Sequence, residues 1–190
     1  MTSSINDKTV LYRDATAEDA PFIAQVICMA LNYDYCNNPL YNVFKELAGM
    51  EFSQYSYLNT IIAEHDATLI GAIIGYDGAR LHELRAPIFS LIQKYIGTPI
   101  SIEDETTEGE FYLDSIAVLP EWRGCGIGRQ LLILMRNRAI ENGHNRIGLL
   151  VDFDNPSAEK LYKTLGFERI NPTTFLGHKM WHLQYLNKSE

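Results

Sequence analysis

The stretch Val118-Leu119-Pro120-Glu121-Trp122-Arg123-Gly124-Cys125-Gly126-Ile127-Gly128-Arg129 sets three glycines and two arginines between an apolar run and an amphipathic one. A strand that ends in a glycine turn and feeds a helix can bring its backbone close to a ligand and take up positive φ. The unpaired N–H groups of the helix's first turn, helped by its dipole, then attract an anion. Arg123 and Arg129 place fixed positive charge at both edges. The ligand implied carries phosphates. Three phosphate-binding patterns compete. A P-loop needs a Lys and a Ser or Thr that this stretch lacks, and a dinucleotide fingerprint needs Gly-x-Gly-x-x-Gly where the order here is Gly124-x-Gly126-x-Gly128. The third, Arg-x-x-Gly-x-Gly, is met by Arg123, Gly126 and Gly128. The structural alternative is a tight turn entering a core helix.

Proton-transfer groups stand on either side of this loop. Glu110, Tyr112 and Asp114 share one face of a strand by alternation, and a carboxylate there can act as a general base. Equally open are an edge-solvated Glu110 and an Asp114 bonded to nearby backbone. Downstream, Tyr162 is a phenol on an apolar helix face, suited to packing or to proton donation. Asn155 reads as a helix N-cap. The five histidines are scattered without an acid or Cys at ligand spacing, and His178 and His182 beside Trp181 read as sheet surface rather than a metal site. No metal is expected. Cys28, Cys36 and Cys125 have no metal-ligand spacing and read as reduced thiols.

The elements that must hold these groups follow from periodicity. Residues 9–13 form a short strand. Thr16 caps a helix with acidic residues in its first turn and Phe22, Ile23, Val26, Ile27 and Ala30 on one face. A second helix runs from Pro39 towards Phe52. Residues 59–64 and 68–76 make an antiparallel hairpin around His65-Asp66-Ala67. An insertion spans 78–109, helical in its first half and acidic and turn-like in its second. Then come a strand over 110–118, a helix over 127–142 stopped by Gly143, and a strand over 146–152. Last are a helix over 156–165 with Pro156 at N1 and Gly166 after its end, and strands over 167–170 and 179–186. The fold class is α/β with a mixed sheet.

Arg123-x-x-Gly126-x-Gly128 closely resembles the pyrophosphate loop of the GNAT acetyltransferase superfamily. Ile116-Ala117-Val118-x-Pro120-Glu121-x-Arg123-Gly124 looks like that family's strand-to-loop junction. Asn155-Pro156-Ser157-Ala158 and Leu161-Tyr162-x-x-x-Gly166-Phe167 resemble its second block at the expected interval. The likeness is strong from Glu110 to Phe167, moderate upstream, and weak across 78–109. Cys125 departs from the basic or amide side chain of many relatives. The resemblance implies a single N-acetyltransferase domain over 1–190, with two central parallel strands splayed around the pantetheine arm of acetyl-CoA and the insertion preceding the fourth strand. It implies donor contacts from Ile116, Ala117, Val118, Arg123, Gly124, Cys125, Gly126, Ile127, Gly128, Arg129 and Asn155, and an oxyanion donor in the Val118 N–H. It also implies a base among Glu110 and Asp114, and Tyr162 as the acid that protonates the leaving thiolate. The reaction is direct attack of an amine on the thioester; the rival is a module that senses acyl-CoA without turnover.

Composition bounds the rest. One hundred and ninety residues, 46% hydrophobic and 21% charged, suit one globular domain. The net charge of −8 argues against a general nucleic-acid partner. The N-terminus lacks a signal-like apolar stretch and no run approaches the ~18 apolar residues of a membrane span. The reading is cytoplasmic, with no membrane partner, as a monomer or homodimer. Asn32-Tyr33-Asp34-Tyr35 and the acids Glu103, Asp104, Glu105 and Glu108 point to a cationic acceptor: a polyamine, aminoglycoside, lysine side chain or protein N-terminus. A solvated charged loop is the plain alternative.

Overall fold

The computed structural model describes residues 9–188. Seven strands and five helices follow one another as β1 (Leu11–Asp14), α1 (Ala20–Ala30), α2 (Leu40–Ala48), β2 (Thr60–His65), β3 (Thr68–Asp77), α3 (Leu81–Tyr95), β4 (Phe111–Val118), α4 (Ile127–Glu141), β5 (Arg146–Asp152), α5 (Pro156–Thr164), β6 (Glu168–Phe175) and β7 (His178–Leu186). The strands form one sheet in the order β1-β2-β3-β4-β5-β7-β6. Every neighbouring pair is antiparallel except β4 and β5. This is the mixed α/β sheet flanked by helices that the sequence implies.

The helices divide between the two faces. Ile23, Ala24 and Ile27 of α1, Val43 and Leu47 of α2, and Ile88 and Ile92 of α3 close over Ile62, Ala72 and Ile74. On the other face Leu131, Leu132 and Met135 of α4, with Tyr162 of α5, cover Phe111, Leu113, Ile147, Leu149 and Leu183. Strict alternation in β5 explains the split: Ile147, Leu149 and Val151 look towards α4, and Gly148 and Leu150 look the other way.

Several boundaries move, each for a local reason. α1 starts at Ala20 because a 3₁₀ turn over Ala17–Asp19 precedes it; the Thr16 N–H donates to the Asp19 carboxylate at 2.8 Å. α2 stops at Ala48, with Gly49 after it, rather than running to Phe52. β6 is twice the expected length. It runs on through Pro172, because β6 is the sheet's edge, where a missing N–H costs no ladder bond. Among the described residues, no helix is long and apolar enough to cross a membrane.

Candidate active site

A bulge in β4 decides which way its side chains point. The register with β3 shifts so that Ile74 faces Ser115 while Gly75 faces Leu113, leaving Asp114 as the extra residue. Before the bulge Phe111 and Leu113 pack under α4; after it Ile116 and Val118 do, and Ala117 turns to the α1 side. Tyr112 lies on the α3 side with Tyr76, Leu81 and Leu84. Glu110 and Asp114 share that side with it.

The same strand loses its parallel neighbour half-way along. β4 and β5 pair only at Phe111 with Ile147 and at Tyr112 with Gly148. Beyond those residues the strands separate, and the β4 edge that faces β5 has unpaired backbone. The Leu119 N–H donates to the Ile70 carbonyl on the β3 side at 2.9 Å. Alternation then turns the polar backbone groups of Ile116 and Val118 towards the gap and those of Ala117 towards β3. Of the three residues expected to meet a pantetheine arm, Ile116 and Val118 turn their N–H groups towards the gap, and Ala117 turns its own towards β3.

The glycine loop closes the open end of the gap. Gly124 and Gly126 take φ of +78° and +82°, with Gly126 as the N-cap of α4. A Cβ on either would meet no neighbour within 4 Å, so their need for glycine is conformational and the space above them is open. The first-turn N–H groups of Ile127, Gly128 and Arg129 face this space without intrahelical partners; the Ile127 side chain itself is buried in the core. Arg123 is exposed and donates Nε to the Val118 carbonyl at 3.1 Å, leaving its terminal nitrogens for an anion. Cys125 is exposed, its sulfur 3.8 Å from the Arg123 carbonyl. Asn155 caps α5 by accepting the Ala158 N–H at 3.1 Å, which leaves its amide NH₂ available.

The two carboxylates have different surroundings. Glu110 is only 3% exposed. It accepts from Thr106 Oγ1 at 2.9 Å, from His182 Nε2 at 2.8 Å and from Gln184 Nε2, at the closed end of the gap. It is neither solvated nor free. Asp114 sits at the bulge with an edge still open, accepting from Ser115 Oγ at 2.8 Å and from Gln54 Nε2 at 3.3 Å. Burial outweighs these bonds and the nearby Arg85 charge, and pushes its carboxyl up to about 6. Tyr162 is 9% exposed on α5, across the sheet from Asp114. Its hydroxyl has no hydrogen-bond partner among the described residues, and burial raises it to about 12.

Known proteins resemble this chain in sequence and in fold. Residues 30–167 match the Acetyltransferase (GNAT) family. The chain belongs to that family. An acetyltransferase crystal structure superposes with a TM-score of 0.78 at 31% identity, covering 94% of this chain and all of that one. The N-acetyltransferase from Staphylococcus aureus Mu50 also gives 0.78, at 25% identity over 92% of this chain and 99% of its own. Among curated proteins, the mycothiol acetyltransferase of Kocuria rhizophila is 35% identical over 86 residues, 45% of this chain and 24% of that protein. The chain spans about a quarter of the length of such relatives.

On this GNAT scaffold the sequence misses the partners that fix the carboxylates. His182 is not sheet surface: it pairs with Glu110, and His178 lies 3.0 Å from Asp152. Both pairs join residues 26 or more positions apart, which spacing along the chain cannot show. Gly148 is the one legible signal. A Cβ there would overlap the Glu110 carboxylate, so the glycine inside β5 marks where that side chain lies. The acidic insertion is also only partly a surface patch, because Glu105 turns inward onto Arg85 and Tyr76.

Proposed function

We propose that this chain transfers the acetyl group of acetyl-CoA to a primary amine by direct attack. The observation that carries the reading is the parting of β4 from β5 after Tyr112 and Gly148, at the mouth of which lie two positive-φ glycines and a helix N-terminus. The donor's phosphates rest on the first-turn N–H groups of α4 with Arg123 and Arg129 beside them. Its pantetheine arm runs along the free edge of β4 at Ile116 and Val118, with the Asn155 amide within the same mouth. The Val118 N–H takes the carbonyl oxygen as it gains charge, a contact worth about 3 kcal/mol.

The two faces of the sheet then have separate tasks. The amine approaches from the α1–α3 side, where Asp114 waits, and the thiol leaves on the α5 side beside Tyr162. An alkylamine with a pKa near 10 is about one part in a thousand neutral at pH 7, so a proton must be removed first. Asp114, with its carboxyl near 6, is largely ionised at neutral pH and still able to hold a proton. Glu110 is already satisfied by three donors and fixes the closed end of the gap instead. Tyr162 keeps its proton at every working pH and presents it to the departing sulfur.

The acceptor belongs to the cationic amines. Tyr55, Tyr76 and Tyr112 surround Asp114, and Tyr33 reaches towards Tyr55 from the loop after α1; aromatic faces and a carboxylate together favour an ammonium group. The test is acetyl-CoA consumption with release of free thiol across polyamines, aminoglycosides, lysine peptides and free peptide N-termini. Turnover with one class supports the transferase. Tight acetyl-CoA binding with no turnover on any class would favour the sensing module.

A further inference from the structure

The insertion between β3 and β4 brings a second charged group to the acceptor side of the sheet. Arg85 of α3 is 3% exposed, although a guanidinium stays charged at any working pH. Its terminal nitrogens are gripped by the segment that follows α3. It reaches the Ile102 and Glu103 carbonyls at 3.4 and 3.2 Å, Asp104 at 3.1 Å, and the equally buried Glu105. Glu105 in turn accepts the Tyr76 hydroxyl at 2.8 Å. Two bridges lead from this pair to Asp114. Tyr76 of β3 lies opposite Tyr112 of β4 and reaches towards Asp114 as well as Glu105. The backbone N–H of Gln54 donates to the Leu84 carbonyl, next to Arg85, while its side chain donates to Asp114.

We propose that Arg85, held by Glu105, is a positioning residue that acts through Asp114: the insertion supplies a buried charge pair that sets how tightly Asp114 holds a proton. This rests on Asp114 serving as the base. A buried cation favours the ionised carboxylate, and Glu105 opposes that effect by neutralising the cation. The groups facing Asp114 are Ser115 and Tyr112 of its own strand, Tyr76 of β3, Gln54 and Tyr55 of the loop before β2, and Arg85 of α3; Glu110 lies beside Tyr112, and Glu105 meets Tyr76 and Arg85. Among them Arg85 is the cation, so it is the group whose removal should push Asp114 upward. Of the acids Glu103, Asp104, Glu105 and Glu108, which read as acceptor-binding charge in sequence, Asp104 and Glu105 serve Arg85 instead.

The signs make the idea testable without knowing the acceptor. The full chain, labelled at the aspartate carboxyl carbons, is titrated by ¹³C NMR, with Asp114→Asn identifying the Asp114 resonance. Arg85→Met should raise the midpoint by about one pH unit, and Glu105→Gln, which keeps the Tyr76 bond but frees the cation, should lower it by a similar amount. Arg85→Lys guards against a misfolded Met variant and should stay within about half a unit of the parent. Opposite shifts support the proposal; a midpoint unmoved in folded Glu105→Gln, or moved in the same direction by both changes, overturns it. The acid limb of kcat/KM with a turned-over amine separates the two claims. If that limb persists in Asp114→Asn, the base assignment fails, and the functional role of Arg85 fails with it. If it vanishes there yet ignores Glu105→Gln, only the Arg85 inference fails.

Discussion

At the scale of single residues, Asp114 and Tyr162 are both perturbed by burial, and the perturbation has opposite uses. If Asp114 is the base, it must be ionised to accept a proton, and activity should fall as pH drops through about 6. Asp114→Asn should lower kcat/KM by about a hundredfold or more and abolish that limb. The stability sign runs the other way. A carboxyl raised above its unfolded value favours the folded state below pH 4, and that contribution disappears as pH rises through 6. Asp114→Asn should therefore be more stable than the parent at pH 7, by about 2 kcal/mol or less, and gain little at pH 4. A variant both less active and less stable at pH 7 would mean the side chain is structural. Tyr162→Phe removes one hydroxyl and keeps the buried ring. If Tyr162 protonates the departing thiolate, the turnover number should fall about a hundredfold while acetyl-CoA affinity changes much less. Equal turnover, with chemistry rate-limiting, would leave Tyr162 as packing against Phe167.

At the scale of elements, the glycines test the strand gap and the loop separately. Gly126→Val should weaken CoA binding because a β-branched residue resists φ of +82°, not because its side chain meets protein. A structural penalty of about 1–3 kcal/mol should accompany it, and unchanged CoA affinity in a folded variant would count against the phosphate site. Gly148→Ala is the converse case, a relaxed backbone with no room. The methyl group would displace Glu110 from His182 and Gln184. Thermal denaturation should show a loss larger than the ~0.5 kcal/mol scale of an innocuous surface change; a neutral effect would mean that the carboxylate has slack. These two glycines also show what could be read in advance. Gly126 belongs to a local pattern, and so do the loop, α4, β5 and the N-cap of α5, all of which the sequence places correctly. Gly148 matters through Glu110, which is 38 positions away along the chain. The His182 contact and the Asp114 bulge are likewise long-range products of strand pairing, and no window of residues contains them. The length of β6 is illegible for a related reason: whether Pro172 ends a strand depends on its being at an edge, and edges exist only in the assembled sheet.

At the scale of the whole molecule, charge sets a problem that the loop must solve locally. The chain carries a net −8, and a donor bearing several phosphates should be repelled by it at long range. At the proposed phosphate site, attraction would come within a few ångströms, from the α4 N-terminus and from the exposed Arg123 of the loop and Arg129 of the first helical turn. Salt screens both terms, with a Debye length of about 10 Å at 0.1 M. In the parent the short-range attraction should dominate, so CoA affinity measured calorimetrically should fall as salt rises from about 0.05 to 0.5 M. Arg123→Ala removes one exposed cation and leaves the acidic background untouched. Its CoA dissociation constant should be raised most at low salt, and its salt dependence should flatten or reverse, because what remains to be screened is increasingly repulsion. Saturation at about a hundred times the dissociation constant should still stabilise the parent by about 2.7 kcal/mol, which gives an independent reading of binding from the thermal midpoint. Parallel salt slopes for parent and variant would show that Arg123 meets no phosphate and serves only its bond to the Val118 carbonyl.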